Sequence, residues 1–260
     1  VATFSNLSIN KTGTGYTLGA TSSPVLTGAT SSTFNITPGA ASKLVFLQQP
    51  TNTVAATAIS PAITVQIQDA GGNLVSTETR NVTLAIGTNP GGGTLSGTAT
   101  VAAVSGVATV NNLSINKSGT GYTLSATSSP VLTGATSSTF NITAGAATKL
   151  VYLQQPTNTA AGSSISPAIT VQIQDANSNL VTTDNTTNVT LAIGTNPGSG
   201  ALSGTATQTA VAGVATFNNL SINKTGTGYT LGATSSPVLT GATSSTFNIT
   251  VGAASKLAFL

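Results

Sequence analysis

Asp69 and Asp175 are the side chains of this sequence best suited to bind a metal ion. A Ca²⁺ site needs about six oxygen ligands and usually several carboxylates, whereas the whole chain holds four Asp and Glu in 260 residues. Asp followed closely by Gly or Asn is also a common turn former. We therefore interpret both aspartates as turn residues and predict neither a metal site nor a cofactor.

Residues that commonly act as nucleophiles or general bases are scarce. The chain has no His and no Cys. Glu78 and Asp184 occupy equivalent places in its two halves, and no second acid lies near either in sequence, so a catalytic carboxylate pair is not supported. The Gly-rich segments Gly13-Thr-Gly15 and 87–93 lack the Gly-Lys-Ser/Thr of a phosphate-binding loop and are predicted to be turns. We expect no catalytic residue and no enzyme activity.

Lys43 and Asn141 raise the possibility of a covalent cross-link, because some bacterial surface fibres join a first-strand Lys to a last-strand Asn. That reaction needs both side chains buried beside a carboxylic acid. If the alternating residues Leu44 and Phe140 point inward, Lys43 and Asn141 point outward. The pattern therefore disfavours the cross-link.

Twelve Asn-x-Ser/Thr sequences, among them Asn6, Asn10, Asn35 and Asn81, are candidate glycan acceptors. A chain in which Ser and Thr supply 80 of 260 residues contains several such sequences by chance, and duplication copies each one. We favour chance over glycosylation.

A second group of polar residues recurs beside predicted strands. Tyr16, Tyr122 and Tyr229 each follow Gly-Thr-Gly, where a sandwich fold often places a structural tyrosine. Gln48-Gln49, with Gln66 and Gln68, is expected to face outward, either solvated or in lateral hydrogen bonds.

The composition is that of a turn-rich, weakly charged strand protein. Charged residues are 4% of the chain and the net charge is +3, with seven basic side chains spread along its length. No basic patch could follow a nucleic-acid backbone. No segment approaches the roughly 20 apolar residues of a membrane span.

The chain consists of tandem repeats. The segment Gly39-Ala-Ala-Ser-Lys-Leu-Val-Phe-Leu-Gln-Gln-Pro50 returns almost unchanged at 145–156 and begins again at Gly252, so the period is 106 and then 107 residues. The extra residue falls where Glu78-Thr-Arg80 corresponds to 184–187, as expected for an exposed loop. We predict the end of one repeat at 1–38, complete repeats at 39–144 and 145–251, and the first strand of another at 252–260.

Apolar residues alternate with polar ones inside each repeat, which predicts half-buried strands. Ile63, Val65 and Ile67 form one such run, and similar runs cover 82–86, 122–126 and 140–142. The alternation changes parity at Asn111-Asn112, where we predict a bulge or bend. Segments rich in Gly, with one Pro, lie at 71–73, 89–93 and 119–121 and separate about seven or eight predicted strands. These features predict an all-β fold of immunoglobulin-like sandwiches in a rod-like array.

The motifs resemble those of bacterial immunoglobulin-like repeats of the invasin and intimin (Big-1-like) type. The resemblance rests on Asp69-Ala-Gly-Gly-Asn-Leu-Val75 and its copy at 175–181, together with Asn81-Val-Thr-Leu, Gly106-Val-Ala-Thr and Gly121-Tyr-Thr-Leu. It covers the whole chain. It implies a place in a long bacterial surface protein that acts as a stalk, an adhesin, or a matrix or filament component.

Three functions fit such an inert repeat. We favour a structural component of an extracellular filament, fibre or cell-surface layer that associates with copies of itself. The alternatives are the stalk of a cell-surface adhesin and a non-catalytic spacer in a giant secreted enzyme. Because 1–38 and 252–260 together cannot complete a sandwich, we also expect this sequence to be part of a longer array.

Overall fold

The computed structural model describes residues 1–252, and in that range it contains strands and no helix. The chain divides into two compact units, Val1–Ile142 and Thr143–Leu260. The repeat limits predicted above remain predictions. The expected first strand at 252–260 lies, apart from Gly252, outside the described residues.

Residues 1–38 form four short strands. These are β1 (Gly13–Tyr16), β2 (Gly19–Ala20), β3 (Ala29–Thr30) and β4 (Phe34–Ile36). β1 pairs with β4 and β2 with β3, both antiparallel.

The rest of the first unit and the start of the next contain twelve strands in the described chain. They are β5 (Ala41–Gln48), β6 (Thr53–Val54), β7 (Ile63–Asp69), β8 (Asn81–Ile86), β9 (Leu95–Ser96), β10 (Thr100–Ala102), β11 (Val107–Val110), β12 (Ser114–Ile115), β13 (Gly119–Tyr122), β14 (Leu124–Ser129), β15 (Ala135–Thr136) and β16 (Phe140–Thr143). Seven of them have four or more residues, which matches the predicted seven or eight; the others are short pieces of ladder.

The second unit repeats this order within its described part. Its strands are β17 (Lys149–Gln154), β18 (Thr159–Ala160), β19 (Ile169–Gln174), β20 (Asn188–Ile193), β21 (Leu202–Ser203), β22 (Thr207–Thr209), β23 (Val214–Phe217), β24 (Ser221–Ile222), β25 (Gly226–Tyr229), β26 (Leu231–Ser236), β27 (Ala242–Thr243) and β28 (Phe247–Thr250).

Two main sheets build each sandwich. In the first unit their strand orders are β10-β8-β14-β15 and β11-β7-β5; in the second they are β22-β20-β26-β27 and β17-β19-β23. The pairings within these sheets are antiparallel. The all-β, immunoglobulin-like sandwich predicted from the alternation is confirmed.

The core lies between the sheets because alternate side chains of each strand point the same way. Ile63, Val65 and Ile67 of β7 are at most 1% exposed and pack in one cluster with Val82 and Leu84 of β8. Corresponding residues of β19 and β20 form the core of the second unit. Burying such side chains is the main stabilising term in a sandwich with few charges.

Two Gly-Thr-Gly segments are strands, contrary to the prediction of turns. Gly13–Gly15 opens β1 and Gly119–Gly121 opens β13. The register of each strand against its partner shifts after these glycines, and Gly15 and Gly121 have φ values of 74° and 88°. Glycine adopts positive φ readily, so the segment forms a β-bulge inside a strand rather than an end to it.

The parity change at Asn111-Asn112 marks a strand boundary, not a bulge within one strand. β11 ends at Val110 in the sheet with β7, and β12 begins at Ser114 and pairs with β9. The Asn112 side chain fixes this bend by accepting a 2.9 Å hydrogen bond from Thr98 N. Of the two alternatives predicted here, a bulge or a bend, the strand pairing favours the bend.

Candidate functional site

Asp69 lies at the end of β7, is 5% exposed, and accepts hydrogen bonds from Gly39 and from Asn73 of its own turn. Its Oδ1 accepts a 2.8 Å hydrogen bond from Asn73 N, which closes the turn after the strand. Its Oδ2 accepts from the Asn73 side chain at 2.9 Å and from Gly39 N at 2.9 Å. The predicted turn is confirmed, but the carboxylate is buried inside it.

These bonds favour the charged carboxylate. The hydrogen bond from the Asn73 side chain, with those from the main-chain N–H groups of Asn73 and Gly39, lowers the pKa of Asp69 from 3.8 to about 2. The Asp69 carboxylate is therefore a weaker base than an ordinary aspartate, and its oxygens serve as hydrogen-bond acceptors.

Asn73 continues the network toward residues 1–38. Its Nδ2 donates to the main-chain oxygen of Asn10 at 3.0 Å, and its Oδ1 accepts from Thr12 N at 3.3 Å. Lys11 Nζ donates to Gly71 O at 3.3 Å beside them. A crevice of about 470 Å³ borders these groups. Sequence analysis missed Asn73 as a site residue.

Asp175 repeats the arrangement inside the second unit and is 2% exposed. It accepts hydrogen bonds from Asn179 N at 2.8 Å, Asn179 Nδ2 at 2.9 Å and Gly145 N at 2.8 Å. Burial by itself raises the pKa of Asp175, but hydrogen bonds from Asn179, Gly145 and Asn177 outweigh it and leave the pKa lowered.

The other two acids differ between the repeats. Glu78 forms an ion pair with Arg80, with Nε to Oε2 at 2.7 Å, and this hydrogen bond lowers the pKa of Glu78. At the corresponding place Asp184 accepts from Thr187 N at 2.9 Å and Thr187 Oγ1 at 2.7 Å. Burial raises the pKa of Asp184, and these bonds lower it further than burial raises it.

The four carboxylates therefore share a structural role. Each accepts hydrogen bonds that hold a turn or loop, and each pKa lies below its ordinary value. A general base that works near neutral pH needs a raised pKa instead. In residues 1–252, no three His, Cys, Asp or Glu side chains come together as metal ligands would.

Lys43 and Asn141 lie on strands of different sheets. Lys43 in β5 is paired with Gln68 of β7, and Asn141 lies in β16, which pairs with β13. Leu44 and Phe140 beside them are buried, as the alternation predicted. The Asn141 amide is already used, since its Oδ1 accepts from Gly121 N at 3.0 Å and so fixes the β-bulge.

Other asparagines of the Asn-x-Ser/Thr sequences also accept hydrogen bonds from backbone N–H groups. Asn35 and Asn248 hold the bulges at Gly15 and Gly228 as Asn141 does at Gly121. Asn219 accepts from Thr205 N at 3.0 Å, as its equivalent Asn112 does from Thr98 N. These asparagines therefore have a structural role in each repeat, and that role does not depend on glycosylation.

Tyr122 and Tyr229 are fully buried, and each hydroxyl donates a 2.9 Å hydrogen bond to the main-chain oxygen five residues earlier. The predicted structural tyrosine is confirmed. Gln49 is half-buried, and its Oε1 accepts from Ser138 N at 2.9 Å, a bond to an exposed residue 89 positions later. That amide links the segment after β5 to the segment between β15 and β16.

The recurrence of Asp69 and Asn73 as Asp175 and Asn179 was the signal that could have revealed Asn73. The residues between them change from Ala-Gly-Gly to Ala-Asn-Ser, while the Asp and the Asn remain four apart. A turn alone would tolerate other residues at the last position. In both copies the Asn side chain bonds to the Asp carboxylate at 2.9 Å.

The described residues contain no helix that is long and apolar enough to cross a membrane. No protein-family model matches the chain, and no curated protein does so.

Comparison with solved structures finds matches at low sequence identity. Domains 4–9 of the surface layer protein SbsC match at 15% identity and a TM-score of 0.30, over 86% of this chain and 34% of that one. The C-terminal 282-residue fragment of intimin, solved with the intimin-binding domain of its translocated receptor, matches at 16% and 0.28, over 80% and 64%. Invasin, a bacterial integrin-binding protein, matches at 15% and 0.30, over 80% and 39%. This chain spans about a third to two thirds of each of these structures.

Proposed function

We propose that this chain is a non-enzymatic structural component of an extracellular filament, fibre or cell-surface layer built from tandem immunoglobulin-like repeats. The observation that carries the proposal is the engagement of its reactive groups: all four carboxylates accept hydrogen bonds that hold turns and loops. These acidic side chains therefore serve to stabilise the fold of the chain itself.

The duplication of the core also supports a structural role. Leu113, Ile115 and Leu124 are at most 1% exposed, and their equivalents Leu220, Ile222 and Leu231 are buried to the same extent. A binding or catalytic domain commonly differs from its neighbours at its site. A load-bearing repeat is under no such demand, since every copy performs the same task.

The surface suits association with further copies of the same chain. Charged residues are 4% of the sequence, so neighbouring molecules repel one another weakly. Hydroxyl groups take the place of charges on the sheets: Thr83 and Thr100 join across two strands at 2.9 Å, and Thr190 and Thr207 do the same. We infer that lateral contacts between molecules use hydrogen bonds and close packing. We also infer that the protein lies outside the cell or on its surface.

The proposal is tested on cells that make the protein. Antibodies raised against residues 39–144 should label continuous surface filaments or a surface layer along its whole extent, and image averaging should give an axial period near 40 to 45 Å, about the length of strands of ten residues plus a junction. Assemblies should survive about 1 M NaCl, because ion pairs contribute little. Labelling confined to the base of a projection, or dissociation in salt, would contradict it.

A further inference from the structure

Asn73 is the one side chain of its turn that bonds both to its own repeat and to residues 1–38. Its Nδ2 reaches Asp69 Oδ2 at 2.9 Å and Asn10 O at 3.0 Å, while its Oδ1 accepts from Thr12 N at 3.3 Å. One amide group therefore joins the strand end at Asp69 to the segment that precedes β1.

We propose that Asp69 and Asn73 form a metal-free latch that fixes residues 1–38 against the repeat that follows. The inference rests on the proposed structural function and deepens it, because it identifies the residues that make this junction stiff. In the latch Asp69 orients the Asn73 amide, and the amide binds the neighbouring segment.

Asp69 also holds the connecting segment. Its Oδ2 accepts from Gly39 N at 2.9 Å, and Gly39 is the residue at which the repeat is predicted to begin. The carboxylate thus fixes the connection directly and the neighbouring segment through Asn73. Three stretches of chain, near 10–12, at 39 and at 69–73, are thus joined by the pair of Asp69 and Asn73.

The burial of the pair makes these bonds effective. Asp69 is 5% and Asn73 is 8% exposed, so water competes poorly for their polar atoms. A hydrogen bond to a charged group is about twice as strong as one between neutral groups. An amide held by such a bond loses little further freedom when it binds Asn10 and Thr12, which favours a fixed junction over a swinging one.

The parts of the latch belong to the repeat and are not peculiar to this place in the sequence. Asp69 and Asn73 recur as Asp175 and Asn179, with the same hydrogen bonds inside the turn. The segment Asn10-Lys-Thr12 recurs as Asn-Lys-Ser at 116–118 and as Asn-Lys-Thr at 223–225.

The latch is tested by distance measurements in the full 260-residue chain. Because the chain has no Cys, Thr14→Cys and Ser96→Cys provide unique sites for two spin labels, both exposed and on either side of the junction. Pulsed electron resonance should give a narrow distance distribution. Asn73→Ala should broaden it at least two-fold. An unchanged width would overturn the latch.

Asn89→Ala is the matched control. Asn89 is an exposed turn asparagine whose Oδ1 and Nδ2 bond to Gly93 at 2.7 and 2.9 Å within one turn. Its loss should leave the distance distribution unchanged. Equal broadening by both variants would indicate general loosening of the repeat and would also overturn the proposal.

A measurement on the unaltered chain avoids any loss of folding in the variants. Thr12 is exposed, and its N–H donates to Asn73 Oδ1. Amide exchange at Thr12 should be at least ten-fold slower than in an unstructured peptide. Exchange at the unstructured rate would refute the latch. Neither result bears on the filament labelling experiment, so the latch can fail while the structural function stands.

Discussion

The hydroxyl of Tyr122 donates a 2.9 Å hydrogen bond to the main-chain oxygen of Lys117, five residues earlier, and Tyr229 does the same to Lys224. The ring of Tyr122 lies against Phe140, with centroids 6.0 Å apart. The residue therefore joins the end of β13 both to the core and to the loop before the strand.

We expect Tyr122→Phe to destabilise the first unit by about 1 to 2 kcal/mol, because the buried ring is retained while one hydrogen bond is lost. Urea unfolding followed by circular dichroism measures the change. Tyr16→Phe is the control. Tyr16 is only partly buried and makes the equivalent bond to Lys11 at 3.1 Å, so its loss should shift the midpoint less. An effect of Tyr16→Phe as large as that of Tyr122→Phe would contradict the expectation.

The carboxylates make stability depend on pH in the acid range. The pKa of Asp69 falls from 3.8 to about 2 in the folded chain. A lowered pKa stabilises the folded state above the unfolded value, and that stabilisation is lost as the pH falls through the folded value. The chain should therefore keep its full stability down to about pH 4 and lose it progressively toward pH 2.

Asp69→Asn isolates one part of this dependence. The variant should be less stable at pH 7, because a charged acceptor of hydrogen bonds from Gly39 and Asn73 is replaced by a neutral one. It should also lose less stability between pH 5 and pH 2 than the parent chain does. Urea midpoints at these values measure both effects, and parallel pH profiles for the two chains would refute the role of Asp69.

Much of the fold follows from the sequence. Period-2 alternation placed Ile63, Val65 and Ile67 in the core, and all three are buried. The repeat itself supplied the correspondence between the two sandwiches. The strand ends were less accessible, because Gly-Thr-Gly at 119–121 has the composition of a turn but forms a bulge held by the amide of Asn141, 20 residues away.

The candidate site was only half visible. Asp69 was recognisable as a turn former, but its contact with Gly39, 30 residues away, was not visible in the local sequence. Gln49 was expected to face outward, and nothing in the sequence around it indicated that its amide would meet Ser138, 89 residues later. Local pattern predicts which way a side chain points and not which distant backbone group meets it.

Tyr152 makes stability depend on pH in the alkaline range. It occupies the position of Phe46, is buried, and donates its hydroxyl to Leu231 O at 2.9 Å. Burial raises the pKa of Tyr152 well above 10.0. The folded state holds this proton more tightly than the unfolded state, so its stabilisation is present below about pH 10 and declines as the pH rises above it.

Tyr152→Phe should remove part of that alkaline loss. Because Phe46 fills the same position in the first unit, the variant should fold with a well-packed core and lose about 1 kcal/mol at pH 7 with the hydrogen bond. Thermal unfolding at pH 8 and pH 11 gives the comparison. An equal alkaline loss in both chains would show that other groups are responsible.

Gly97 is a position where the backbone leaves no space for a side chain. Its φ is 102°, and a Cβ there would lie 2.2 Å from Asn112 O and 2.9 Å from Asn112 C. Asn112 cannot retreat easily, since its side chain holds Thr98 and it forms the bend between β11 and β12. Gly97→Ala must therefore either distort that bend or force its own backbone out of the left-handed region.

We expect Gly97→Ala to cost about 2 to 4 kcal/mol, from the strain of positive φ together with overpacking. Gly92→Ala separates the two contributions. Gly92 has a φ of 63°, and no atom lies within 4 Å of its Cβ position, so this variant should cost about 1 kcal/mol from backbone strain alone.

Gly204, the equivalent of Gly97 in the second unit, has a φ of 100° and a Cβ position 2.3 Å from Asn219 O. Gly204→Ala should therefore reproduce the larger effect in urea unfolding. If Gly97→Ala and Gly92→Ala proved equally costly, close approach of the Asn112 backbone would not be the reason that glycine is required at residue 97.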